Sequence, residues 1–157
     1  MPQELQSSAL GPNLRVAIVV ARFNEIVTNR LLEGALSGLE ACGVDRETAV
    51  VAWVPGSLEL GVIAKAFATS GKYDAIVCLG AVIRGETGHY DVVATQSTAA
   101  LSRIAIEKEI PIGMGVLTTD NMEQAMERSG GKVGNKGYDS AVTAVEVANL
   151  LNQITGR

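Results

Sequence analysis

After Asp74, every residue up to Ile83 is apolar, and several are β-branched. A strand that alternates apolar with polar residues can leave one face in water; an unbroken run of this kind has to be covered on both faces. Helices on either side of a parallel sheet give that cover. Leu14–Ala21, Thr48–Val54 and Ile112–Leu117 are further runs of strand type. Stretches with helical spacing alternate with them. Ile26–Cys42 carries Leu32, Ala35, Leu36 and Leu39 on the repeat and stops at Gly43; Leu58–Thr69 follows Ser57 as N-cap and closes at Gly71. Tyr90–Glu109 is broken by Pro111, Asp120 and Glu123 have the spacing of a capping box for a short helix, and Tyr138–Asn152 ends the pattern. Strict alternation implies right-handed crossovers and a three-layer α/β/α domain with a four-stranded parallel sheet. Residues 1–13, with Pro2, Gly11 and Pro12, read as an arm without a core of its own that can add a strand; 14–157 reads as a single domain.

Of the 157 residues 47% are hydrophobic and only 19% charged, so apolar surface is left over to meet other subunits, and a homo-oligomer is expected. No apolar run reaches the roughly 18 residues of a membrane span. The net charge of −4 is spread along the chain without a basic face, which argues against nucleic acid. Cys42 and Cys78 stand alone in apolar surroundings and read as buried thiols in a reducing cytoplasm, in keeping with an N-terminus lacking a secretory pattern. With one histidine and no C-x-x-C, neither a metal site nor a metal cofactor is expected.

In such a sheet, ligands bind where the turns at the strand C-termini gather. Those turns are 22–25, 55–59, 84–89 and 117–120. Phe23 either stacks on a flat heterocycle or joins the core, and Asn24 either offers a donor and an acceptor to a ligand or starts a helix. Gly56, Ser57 and Glu59 place exposed amides, a hydroxyl and a carboxylate on a first helical turn, suited to a polyol or to ring N–H groups and equally to ordinary capping. Gly85, Glu86 and Thr87 precede a helix, where backbone N–H groups favour a phosphate; the Glu86 side chain then has to point away while its amide serves. His89 carries an imidazole, a group that takes and returns protons near neutral pH, and is otherwise a surface or cap residue. Arg128 and Lys136 bracket a glycine-bearing loop, Arg128–Gly137; they either serve as phosphate partners, or Arg128 complements the C-terminus of its short helix and Lys136 is solvated. This loop lies off the strand edge; one subunit cannot easily bring it there, and a neighbouring subunit could.

Arg22–Asn24, Trp53–Glu59, Gly80–Asp91, Gly115–Asn121, Glu123–Arg128 and Gly134–Gly137 stand in the order found in the lumazine synthase family, and residues 14–152 resemble it as a whole. The resemblance implies a flavodoxin-like sheet and pentamers with active sites between adjacent subunits. It implies condensation of 5-amino-6-(D-ribitylamino)uracil with 3,4-dihydroxy-2-butanone 4-phosphate to 6,7-dimethyl-8-ribityllumazine, releasing phosphate and water, without a cofactor. Carried over, Phe23 stacks on the pyrimidine, Ser57 and Glu59 hold the ribityl chain, and Ala81, Val82 and Ile83 hold the ring through their backbone. Gly85, Glu86 and Thr87 receive the phosphate together with Arg128 of the adjacent subunit; Lys136 lies nearby, and His89 carries protons. Leu58, Gly88 and Met114 depart from the commonest pattern, Met114 standing where a neighbour's phenylalanine usually walls the site. The Gly131–Gly137 loop resembles that of members building sixty-subunit shells, which bears on riboflavin synthase as a partner. A flavin- or lumazine-binding module without turnover is the rival; it has no need of His89, Arg128 and Lys136.

Overall fold

The computed structural model describes residues 1–156. Strands β1 (Val16–Ala21), β2 (Val50–Val54), β3 (Ala75–Ile83) and β4 (Ile112–Thr119) form one parallel sheet in the order β2-β1-β3-β4. Helices α1 (Glu25–Ala41) and α5 (Lys136–Thr155) cover one face, and α2 (Leu60–Ser70) and α3 (His89–Lys108) cover the other. The short α4 (Met122–Arg128) follows β4. This is the three-layer arrangement expected from the alternating pattern, and the flavodoxin-like sheet that the resemblance implies.

The central strands are the uniformly apolar ones, and their period of two feeds two cores. Val16, Ile18, Val20, Val77 and Leu79 meet Leu31, Leu39 and Val145 on the α1/α5 face; Val19, Ala21, Ile76 and Cys78 meet Leu60, Ala64 and Leu101 on the other. Each fully buried Val, Leu or Ile contributes about 1.5–3 kcal/mol over its exposed state. The edge strand β4 alternates instead, burying Gly113, Gly115, Leu117 and Thr119 and exposing Met114 and Thr118. Its glycines let α5 lie close: a Cβ at Gly113 would strike the Ser140 carbonyl. Gly43 (φ 81°) and Gly71 (φ 73°) take the left-handed conformation expected of helix stops.

Four local expectations are corrected. Ser57 does not cap a helix; it opens a 3-10 turn, Ser57–Glu59, and α2 starts only at Leu60. The α4 cap is Asn121, whose side chain accepts from the Gln124 N–H at 2.9 Å, while Gln124 Oε1 accepts from the Asp120 N–H at 2.8 Å; the capping pair is Asn121 and Gln124, not Asp120 and Glu123. The Arg128–Gly137 segment is not a loop but an antiparallel hairpin, β5 (Ser129–Gly131) with β6 (Gly134–Asn135), leading straight into α5. The N-terminal arm adds no strand to the described sheets. Instead α5 holds it, Asn149 Nδ2 donating to the carbonyls of Ser8 (2.7 Å) and Leu10 (2.8 Å) and Gln153 Nε2 to that of Gln6 (2.9 Å). Among the described residues, no helix is long and apolar enough to cross a membrane.

Candidate active site

A cleft of about 450 Å³ opens where β1, β2 and β3 end. Its walls come from three turns and one helix face: Phe23 after β1; Pro55, Gly56, Ser57, Leu58 and Glu59 after β2; Ala81, Val82, Ile83, Gly85 and Thr87 from β3 and its turn; His89, Tyr90 and Val93 from α3. The first two turns continue the sheet ladder, Arg22 N–H donating to the Val54 carbonyl (2.8 Å) and Phe23 N–H to that of Pro55 (3.1 Å). Asn24 then reverses the chain in the left-handed conformation (φ 63°), which Asn tolerates better than most residues. Its Nδ2 donates to the Ala81 carbonyl at 2.8 Å.

These bonds decide two of the open alternatives. Phe23 is 71% exposed and belongs to the cleft, not to the core. Asn24 does start α1; its Nδ2 is engaged by β3, and it is not among the residues lining the cleft. Ser57 is buried against β3, in the space that Gly80 leaves by lacking a Cβ. Glu59, half-buried, sits beside it, and the Cβ position of Gly56 lies 3.3 Å from Glu59 Oε1.

The turn from Arg84 to Gly88 is wholly exposed. Thr87 Oγ1 accepts from the His89 N–H at 3.3 Å, which puts the imidazole on the first residue of α3 with Gly88 as N-cap. Amides of a first helical turn have no intrahelical partner and favour anions. Gly85 and Thr87 face the cleft while Glu86 is absent from its walls, as a phosphate reading requires of that carboxylate.

The remaining residues lie elsewhere in the same chain. Met114 is exposed in the middle of β4. Arg128, at the end of α4, donates from Nη1 to the Gln124 carbonyl (3.1 Å) and stands 3.8 Å from Glu127. Lys136 is exposed at the start of α5 with its Nζ 4.0 Å from Asp139. None of the three lines the cleft. Sequence reasoning missed Pro55, Tyr90 and Val93 as wall residues. The signal was present for Val93: it lies one helical turn beyond His89, so the two share a face.

Both thiols are buried. Burial pushes the Cys78 thiol well above its ordinary range, and burial with the nearby Glu146 charge pushes Cys42 up as well. Neither is a nucleophile in this fold.

The cleft therefore combines an aromatic face, a hydroxyl and a carboxylate at one end with helix-terminal amides and an imidazole at the other. The family model for 6,7-dimethyl-8-ribityllumazine synthase matches residues 13–152, nearly the whole chain. By that match this chain is a member of the 6,7-dimethyl-8-ribityllumazine synthase family.

Proposed function

We propose that this cleft holds both substrates of the family's reaction and that a neighbouring copy of the chain completes it. The reaction is the condensation of 5-amino-6-(D-ribitylamino)uracil with 3,4-dihydroxy-2-butanone 4-phosphate, a transferase step of riboflavin biosynthesis. The observation that carries the reading is that Phe23 and Glu59 share one cleft with Gly85, Thr87 and His89. Phe23 stacks on the pyrimidine, Ser57 and Glu59 take the ribityl hydroxyls, with Gly56 and Leu58 beside them, and the backbone of Ala81–Ile83 meets the ring edge. The amides at Gly85, Glu86 and Thr87 and the Thr87 hydroxyl take the phosphate. His89, at the junction, moves protons during imine formation, phosphate elimination and ring closure.

None of these steps requires an enzyme nucleophile. Holding two reactants in register is worth about 7–11 kcal/mol of barrier. A positioned acid/base adds about 10²–10⁴-fold. Orientation is thus the larger contribution, and His89 the smaller.

Arg128, Lys136 and Met114 enter from the neighbour in this reading. It is supported by their absence from the cleft walls of one chain and by apolar surface at opposite edges of the sheet. Val50 and Trp53 are exposed on β2, while Met114 is exposed on β4 and Ile106 of α3 beside Ile112 at the start of β4. Two different patches meeting head to tail generate a ring where the rotation between copies closes. We assign five copies to that ring and sixty to a complete shell, free in the cytoplasm, with riboflavin synthase as a partner. The test of the site is Arg128→Ala in steady-state kinetics: the Michaelis constant for the phosphorylated ketone rises about tenfold or more, as for loss of a charged hydrogen bond. An unchanged constant refutes the role. Mass photometry tests the assembly; a particle of five or ten chains refutes the shell.

A further inference from the structure

We propose that Arg84 is a positioning residue for this reaction: its guanidinium clamps both ends of the Gly85–Gly88 turn, so that the turn's amides and the His89 imidazole meet the phosphorylated substrate in one arrangement. The proposal rests on assigning that turn to the phosphate.

The turn has little else to hold it. Every residue from Arg84 to His89 is exposed, and a Cβ added at Gly85 or Gly88 would meet nothing within 4 Å. A segment with few contacts and a solvated backbone opens locally at little cost. A substrate that must find several amides aligned at once is poorly served by such a turn.

Arg84 counters this from three sides. Its backbone N–H donates to the Thr119 carbonyl at 2.8 Å, which fixes where β3 ends. Its Nε stands 3.2 Å from Asp120 Oδ1, tying the side chain to the turn after β4. Beyond the turn, Nη1 is 3.8 Å from Asp91 and Cζ lies 4.3 Å from the centroid of the Tyr90 ring. One side chain thereby connects the residue before the turn to both residues after His89. The Tyr90 ring is itself part of the cleft wall, so the same stacking fixes wall and turn together.

Arginine suits the task. A planar guanidinium offers a fork to carboxylates and a face to an aromatic ring at once, whereas a lysine ammonium is a point charge with neither. Ion pairs this exposed contribute little to global stability. Their combination on one side chain controls local order instead, and the effect belongs in substrate handling.

The test compares Arg84→Ala and Arg84→Lys with the parent chain in its assembled form, by steady-state kinetics with each substrate varied and by amide hydrogen exchange. In Arg84→Ala the Michaelis constant for the phosphorylated ketone rises about ten- to a hundredfold, the scale of a misplaced substrate. The constant for the pyrimidine stays where it was, the His89 and Asp91 amides, which are bonded to Thr87 and Gly88 of the turn, exchange faster, and the melting temperature holds. Arg84→Lys recovers part of both changes. Unchanged exchange with both constants unmoved overturns the clamp. A lowered melting temperature with both constants equally impaired also overturns it, because a merely structural residue behaves that way. Faster exchange with only the pyrimidine constant raised keeps the clamp and overturns the phosphate assignment beneath it.

Discussion

Gly85 and Gly88 stand where a Cβ would meet nothing within 4 Å, while a Cβ at Gly131 would lie 2.7 Å from the Met126 carbonyl and one at Gly137 would strike that of Leu31. Both segments are short, glycine-bearing and polar; the first follows β3 directly, the second follows β4 and α4. The first is an open turn at the mouth of the cleft. The second is a hairpin pressed onto α1, where Arg30 Nε donates to the Ser129 carbonyl (2.9 Å) and Asn135 Nδ2 donates back to that of Arg30 (3.1 Å). Gly130 there adopts φ 109° at the bulge between β5 and β6, a conformation that side chains other than glycine rarely take. Glycine thus does two unrelated jobs in this chain. In the hairpin it lets backbones approach; in the turn it keeps the backbone approachable from outside.

Substitutions separate the two jobs. Gly137→Ala has the largest expected effect, because α5 cannot start beside α1 without one helix moving; backbone overlap belongs with the rare losses of about 4 kcal/mol or more. Urea unfolding of the variant checks this, and a loss below about 1 kcal/mol would mean that the helices are not locked there. His89→Ala, at the end of the open turn, leaves the fold alone. It slows turnover by about a hundredfold without abolishing it, since a positioned acid/base is the smaller contribution. Single-turnover measurements with both substrates saturating read that effect free of binding.

Much of the fold could be read along the chain because the central strands are unambiguous. Nothing but a doubly covered strand accommodates Ala75–Ile83, and left-handed glycines stop α1 and α2 where Gly43 and Gly71 fall. The hairpin could not be read that way: its strands are three and two residues long, too short for a period-two signal, and what shapes it is the long-range contact of Arg30 and Asn135. Ser57 was misjudged for a related reason. Hydroxyl, apolar residue and carboxylate before an apolar run look like a cap, yet the missing Cβ of Gly80, distant in sequence, makes room for the hydroxyl against the sheet. The site followed the same division. The cleft residues on the turns after β1, β2 and β3 were legible because parallel topology brings such turns together. Tyr90 and Arg84 were not, since their relation is a side-chain stack across a turn rather than a spacing.

The smallest expected effect is Gly85→Ala, and its sign makes it informative. The φ of Gly85 is not in the left-handed region, and its Cβ direction is empty. Alanine at such a position loses less conformational freedom on folding, so the variant should be more stable than the parent by about 0.4–1 kcal/mol. Nothing in the chain's own packing then accounts for a glycine there. If the turn receives a phosphate through its amides, the added methyl crowds the approach and raises the Michaelis constant for the phosphorylated ketone, so stability and substrate handling move in opposite directions. Should both improve, or should stability fall as it does at Gly137, the contrast between the two glycine segments is broken. The turn would then be one more packed connection, and the phosphate would have to be sought elsewhere in the cleft.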